Sequence, residues 1–571
     1  MLTKSNIKIA YFLMGCGLVF LLFSCAKQGS PSGGPKDTES PEVTYAEPQS
    51  GAVNFDKDYF DIGFNEYIKL NNIQQNLIVS PPFAKKPEVK IRGKSIRVVL
   101  PEEPQPNTTY SFTFLDAISD ITESNTIKNM VYAFSTGPVI DSLRVSGVVK
   151  DAFTEEPVAN VFVMLHSHPA DSMFKKHIPD YLTKTNEQGK FKFFYVSPGV
   201  YKIYALDDAN YSGTFDQPNE KIAFHDSLIV PGVEPVKDST DSITGYNYFP
   251  DDLSLRLFEQ AQYLQFIRTS ERPQSNQIQV FFKHPQDSDI NWYSPDFDTS
   301  LVVTEFSRYN DSLVFWLTDT SLCRQDSLQL IIDYYSNIDS VGWKTDTLMM
   351  SSKSDFDEEK PDVDVNIAKS QLNYWEMPQI TVNSVIKQLN PESIHLFHRV
   401  NDSVKKAVDF DIEHSDNRSF RIKAKFRQEK EYVLILDTTA IEDVLYRFND
   451  STAFEFTVNK EDDFSTLQVT IPGTDTGWYC DLLKGDKIIR RKVMSDEGTF
   501  TMFHLEPGTY RLRLVKDVNY NRKWDTGDFD KKRQPEPVWY KSEEIKLRSN
   551  WTQETEWMLF EENTENPEYE K

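Results

Sequence analysis

The chain has 571 residues, which at roughly 150 residues per domain allows about four domains or a few more. Acidic residues number 87 against 62 basic ones, and the net charge of −25 excludes a nucleic-acid binder, which needs a basic face to neutralise phosphate. Hydrophobic residues make up 39%, enough for packed cores, whereas four cysteines are too few for a disulfide framework.

Lys4 and Lys8 precede an uncharged, mostly apolar run from Ile9 to Phe23. Such a run is short for a bilayer span, which takes about 20 residues, and it reads as an export signal over residues 1–24. It ends in Leu22-Phe23-Ser24-Cys25, which resembles a bacterial lipobox; the resemblance implies a lipid anchor on Cys25. Residues 25–40 are rich in Gly, Ser and Pro and read as a flexible tether. Gln28-Gly29-Ser30-Pro31-Ser32-Gly33-Gly34-Pro35-Lys36-Asp37 ahead of a β-domain resembles a lipoprotein family of the Bacteroidota with an SbsA-type Ig-like first module. Ala26, in place of Asp, resembles sequences sorted to the outer membrane, with the periplasmic and cell-surface faces both open.

From Glu42 onward, period-two patterns dominate, so the fold class expected is all-β, a tandem of β-sandwiches. Phe60, Ile62 and Phe64 share one strand face, as do Ile96, Val98 and Leu100, then Tyr110, Phe112 and Phe114. These strands, closed by Phe134-Ser135-Thr136-Gly137, place a sandwich at 41–138 that is similar to SbsA-type Ig-like domains. Val145-Ser146-Gly147-Val148-Val149, Asn186-Glu187-Gln188-Gly189-Lys190-Phe191 and Pro198-Gly199-Val200-Tyr201 follow at 143–232. This segment resembles the carboxypeptidase regulatory-like, prealbumin-type sandwich.

Both patterns then recur. Ala117-Ile118-Ser119-Asp120 downstream of Tyr110 matches Ala440-Ile441-Glu442-Asp443 downstream of Tyr432, and Phe134 corresponds to Phe456. Pro198-Gly199-Val200-Tyr201 matches Pro507-Gly508-Thr509-Tyr510. A second Ig-like module is therefore expected at 362–458 and a second prealbumin-like module at 462–560. Between them, Leu328, Leu330, Ile332 and Tyr334 alternate, which places a degenerate sandwich at 243–358. Leu257, Ala261 and Leu264 suit a strand or a short helix equally, and residues 561–571 form an acidic tail.

Catalytic signatures do not emerge. The chain has no Gly-x-Ser-x-Gly, His-Glu-x-x-His, Cys-x-x-Cys or Gly-x-Gly-x-x-Gly motif, and the expectation is that it is not an enzyme. His166 and His168 share a strand face without a spacing that converges on a metal. Cys323 and Cys480 are expected to be buried free thiols. Asp-Ser pairs such as Asp171-Ser172, Asp226-Ser227 and Asp311-Ser312 resemble the O-glycosylation motif of exported Bacteroidota proteins, and equally suit turn capping.

One motif does carry chemistry. Asp517, Asn519, Asn521, Asp525 and Asp528 stand at positions 1, 3, 5, 9 and 12 of a loop, and Lys523 at position 7 can offer its carbonyl. That is the spacing of EF-hand-like loops, which wrap six to eight oxygens about Ca²⁺. Arg522 stands where the usual Gly would be, and Asp528 replaces the usual Glu. Asp208, Asn210, Ser212 and Asp216 form a weaker version with Gly213 at the turn, and a plain Asx-rich turn uses the same side chains. Structural Ca²⁺ is the one cofactor the sequence suggests. The function expected is a non-catalytic, outer-membrane-anchored lipoprotein, an envelope scaffold or protein-binding component of an assembly, export or uptake complex. The alternative, a surface carbohydrate binder, rests on aromatic richness, 13% of the chain.

Overall fold

Alternation along the strands decides where each core lies. In Tyr59–Phe64 the side chains of Phe60, Ile62 and Phe64 are buried, and in Ser95–Val99 those of Ile96 and Val98 meet them from the paired strand. The computed structural model describes residues 37–559, apart from 239–241, 261–264, 287–289, 308–309, 337–341, 357–358 and 402–403. Cys25, the signal segment 1–24, most of the tether and the tail 561–571 lie outside the described residues. Strands dominate, and the chain is all-β. It divides into two compact units. The first takes in the described residues up to Val149, Pro157–Asp216 and Ile222–Leu255, and the second takes in Lys150–Glu156, Gln217–Lys221 and the rest from Arg256.

In the first unit, a four-stranded sheet runs in the order Val43–Glu47, Tyr59–Phe64, Ser95–Val99, Glu88–Arg92. It faces a three-stranded sheet of Met130–Ser135, Thr109–Phe114 and Leu77–Ser80. Aromatic rings fill the space between them: Phe60 stacks on Tyr132 at 4.0 Å and Phe55 on Phe134 at 3.8 Å. Each such fully buried ring contributes about 1.5–3 kcal/mol of transfer free energy. A seven-stranded sheet follows, in the order Tyr181–Lys184, Phe162–His166, Lys202–Leu206, Lys221–Phe224, Leu253–Glu259, Leu143–Asp151, Lys190–Val196.

That order corrects the boundaries expected at 232 and 243. Leu253–Glu259 belongs to this sheet, because Leu253, Leu255 and Leu257 alternate inward and complete its core. Ile243–Phe249, expected to open the next sandwich, pairs instead with Gly232–Lys237 as a two-stranded ribbon. Leu257 is therefore in a strand, while Ala261 and Leu264 lie outside the described residues. The two readings share the same leucines, and only the pairing partner tells them apart.

The second unit begins its sandwiches with Ile267–Gln274, Gln277–Phe282, Ser312–Leu317 and Val302–Phe306, opposed by Asn291–Tyr293, Ser327–Tyr335 and Trp343–Ser351. Leu328, Leu330, Ile332 and Tyr334 point into the core between the sheets. Leu445, from a loop of the next module, completes that core. Arg272 is buried beside it, and its guanidinium donates to the carbonyls of Ser275, Leu322, Cys323 and Gln325 at 2.6–3.2 Å. The next sandwich has a four-stranded sheet from Val363–Val365 to Asp411–His414 and a five-stranded one centred on Glu431–Leu436.

The repeats read in the sequence share bonds as well as residues. Phe134 pairs with Tyr110 in the first sandwich and Phe456 with Tyr432 in the one centred on Glu431–Leu436. Tyr110 Oη accepts from Gln105 N at 2.9 Å, and Tyr432 Oη from Arg427 N at 2.8 Å. Likewise Tyr201 Oη donates to Ser197 O at 3.0 Å and Tyr510 Oη to Glu506 O at 2.7 Å, each four residues back.

The last sandwich sets Thr499–Leu505, Ser465–Thr470 and Thr552–Glu556 against Lys487–Val493, Trp478–Lys484, Gly508–Lys516 and Val538–Tyr540. Within it Asp481 is fully buried, gripped by Arg491 at 2.6 Å and Arg513 at 2.7 Å. Removing one member of such a cluster leaves an uncompensated buried charge. Asp481→Ala should therefore lower the stability of this module by about 3–5 kcal/mol, read as an earlier urea transition of the full chain. An unchanged midpoint would contradict the account.

Candidate functional site

Strand Gly508–Lys516 ends directly at Asp517, so the sheet fixes where the expected Ca²⁺ loop starts. The Asp517 carboxylate is buried and accepts from Asn521 N at 3.0 Å and Arg522 N at 2.8 Å. Asn519 Oδ1 accepts from Asn521 N at 3.1 Å, and Asn521 Oδ1 from Lys523 N at 2.7 Å. The Nδ2 groups of Asn519 and Asn521 both donate to Asp525 Oδ2 at 2.6 Å. Tyr520 and Arg522 take left-handed conformations, φ 61° and 59°, to let the chain coil around its own side chains. Five of the six expected residues, Asp517, Asn519, Asn521, Lys523 and Asp525, thus belong to one coil.

Asp528 holds the turn beyond the coil. Its carboxylate accepts from Lys531 N at 3.1 Å and pairs with Lys531 Nζ at 3.3 Å, in the turn that follows. Glu536 closes the coil instead. It is 6% exposed; its Oε1 accepts from Val518 N at 2.8 Å and its Oε2 from Asp525 N at 3.0 Å, while its own N donates to Asp525 O at 3.0 Å. Glu536 lies beyond a twelve-residue loop span, so no EF-hand-like spacing could have found it. Burial raises its carboxyl above the usual range, the Asp525 and Val518 N–H groups pull it back, and the nearby charges of Asp525 and Asp517 push it further up.

The weaker loop repeats the geometry. Asp208 accepts from Ser212 N at 3.1 Å and Gly213 N at 2.8 Å, and Asn210 Oδ1 accepts from Ser212 N at 3.0 Å. Asn210 Nδ2 donates to Asp216 Oδ1 at 3.0 Å. Tyr211 and Gly213 take φ 60° and 73°, matching Tyr520 and Arg522 in the second loop. Gly213 occupies the turn that strains Arg522.

Chemically, each loop gathers carboxylates and carboxamides that Ca²⁺ favours. Among the described residues no three His, Cys, Asp or Glu side chains converge as a ready metal centre. In the second loop, carboxamide N–H groups sit against Asp525.

His166, Cys323 and Cys480 are held within cores. His166 is buried against Tyr204 with neither ring nitrogen bonded, and burial pushes its imidazole down to about 4, so it is neutral at pH 7. Cys323 and Cys480 are buried free thiols; burial pushes Cys323 up to about 12 and Cys480 higher still. Neither supplies a thiolate nucleophile. Among the described residues no helix is long and apolar enough to cross a membrane.

The family model of a bacterial Ig-like domain matches residues 37–136, the first sandwich. No curated protein matches the chain. Among solved structures, the major pilin subunit BcpA of Bacillus cereus is 8% identical with a TM-score of 0.14, covering 73% of this chain and 99% of that one. The S-layer protein SbsC is 9% identical with a TM-score of 0.14, covering 84% of this chain and 64% of that one. A fragment of alpha-2-macroglobulin from Escherichia coli is 13% identical with a TM-score of 0.18, covering 45% of this chain and 95% of that one. The first module is a bacterial Ig-like domain, and the chain is an all-β protein of sandwich modules.

Proposed function

We propose that this chain is a non-catalytic lipoprotein of the bacterial outer membrane, anchored through Cys25 and acting as a scaffold or docking component for other envelope proteins. The observation that carries this reading is the succession of β-sandwich modules behind a lipobox-like Leu22-Phe23-Ser24-Cys25. Sandwiches of this kind present loops and strand edges on a rigid frame, which suits spacing and docking. The net charge of −25 supports partners that are proteins rather than anionic lipid or nucleic acid. The test is membrane fractionation with affinity capture from mild detergent. Cys25→Ala should stay unprocessed and leave the outer-membrane fraction, and the wild-type chain should co-purify outer-membrane proteins. Normal processing and membrane retention of the variant would overturn the anchor; capture of no envelope protein would overturn the scaffold.

Within that scaffold, the Asp517 loop is proposed to hold a structural Ca²⁺, with Asp517, Asn519, Asn521, Asp525 and the Lys523 carbonyl as ligands and Glu536 in place of Asp528. The Asp208, Asn210, Ser212 and Asp216 loop is its weaker counterpart. Burial first and the charges of Asp525 and Asp517 last raise the Glu536 carboxyl, and a cation bound in the coil would ease both. An ion bound only by the folded loop stabilises by mass action, about 2.7 kcal/mol at a concentration 100 times Kd. Millimolar Ca²⁺ should raise the thermal midpoint of the full chain over that in chelator, and Asp517→Ala should abolish the rise. Equal midpoints for the wild type in both conditions would leave only an Asx turn.

A further inference from the structure

The last sandwich is open along one seam, where Ile545–Leu547 ends one sheet and Thr552–Glu556 ends the other. Ile545–Leu547 pairs with the start of Gly508–Lys516, and Thr552–Glu556 runs parallel to Ser465–Thr470. The two terminal strands do not pair with each other, and a groove of about 580 Å³ lies at the seam. That volume is within the range of small-molecule sites.

Lys541 lines the groove and is 6% exposed. Among the described residues its Nζ donates to one protein acceptor, Glu556 O, at 3.1 Å. An ammonium has three N–H donors, so two remain for whatever occupies the groove. A buried cation without a counter-charge is costly. Around it stand Lys546 and Arg548, with Glu543 and Glu544, and none of the four has an ion pair among the described residues. Three cations against two carboxylates leave the groove one positive charge in excess, in a chain of net charge −25.

Trp551 completes the wall and is 59% exposed, an indole face with no aromatic neighbour among the described residues. Gln553, whose Nε2 donates to Glu554 O at 2.8 Å, and Thr555 line the groove as well. The site therefore combines a deep point charge, a flat apolar face, and acceptors and donors in between. A fatty acid would leave the polar groups unmatched. A bare phosphate would leave Trp551 unused, and Glu543 and Glu544 would repel a polyanion dense in charge. A sugar ring with a single carboxylate matches all of these: its C–H face lies on the indole, its hydroxyls donate to the glutamates and its carboxylate meets the ammonium.

We propose that this groove binds an acidic saccharide, a pyranose chain carrying a uronic carboxylate, with Lys541 holding the carboxylate and Trp551 stacking on the ring. The inference goes beyond the scaffold role and is independent of the Ca²⁺ loop. It is tested by titration calorimetry of the full chain, in chelator, with a trimer of galacturonic acid, the matching neutral galactose trimer, and inorganic phosphate. The acidic trimer should bind at least about tenfold tighter than the neutral one, about 1.4 kcal/mol, and weaken with salt. Lys541→Met and the exposed Trp551→Ala should each weaken it about tenfold, their thermal midpoints showing that the fold is kept. Should Lys541→Met unfold the module, Trp551→Ala decides alone. No binding of the acidic trimer, equal binding of the neutral one, phosphate binding as tightly, or an affinity indifferent to Trp551→Ala would each overturn the proposal.

Discussion

A strand that leaves a sheet into a short loop exposes backbone N–H groups that no neighbouring strand can accept, and in this protein buried aspartates accept them. Asp120 takes N–H groups of Glu123, Ser124 and Asn125 at 2.5–2.9 Å, and Asp443 takes those of Leu445 and Arg447, each at 2.9 Å. Asp208 and Asp517 do the same for the residues four and five positions on. A carboxylate has two oxygens and about four acceptor sites, so one side chain can fold a whole turn around itself. Because charge-assisted bonds are roughly twice as strong as neutral ones, the buried charge is offset within the loop it organises. The acidity of the chain is thus partly an architectural property.

One of these aspartates, Asp443, extends this logic between modules. Asp443 also receives the Arg447 guanidinium, whose other nitrogen reaches Glu359 at 3.2 Å. Glu359 in turn accepts from Ser275 N at 2.7 Å. The same turn delivers Leu445 into the neighbouring core. One carboxylate therefore shapes the turn, places an apolar plug and anchors an ion pair.

Much of this was legible in residue order. Period-two runs located strands of the first sandwich and of the one holding Ser327–Tyr335, since a half-buried strand must alternate. The match of Asp120 with Asp443, and of Tyr201 with Tyr510, was visible as spacing, and the structure supplies the shared bonds behind it. Long-range pairing was not legible. Leu253–Glu259 has the alternation of any strand, and nothing local says that it returns to the earlier sheet. Glu536 was missed because its approach to Asp525 is set by the strand Val538–Tyr540 beside Gly508–Lys516, not by loop spacing. Lys541 was invisible for a related reason: a lysine in sequence reads as surface, and only packing shows it buried.

The most direct measurement compares wild type and Asp120→Asn across pH. Burial raises the Asp120 carboxyl, but its backbone N–H partners overcome that and hold it below the usual carboxylate range. A depressed folded-state pKa contributes stability that is present above the unfolded value, about 4, and is lost as pH falls through the folded value. The account predicts that the wild type is the more stable at neutral pH and that the gap closes as the pH drops below about 4. A gap that stays constant with pH, or none at all at neutral pH, would contradict the role given to the buried carboxylate.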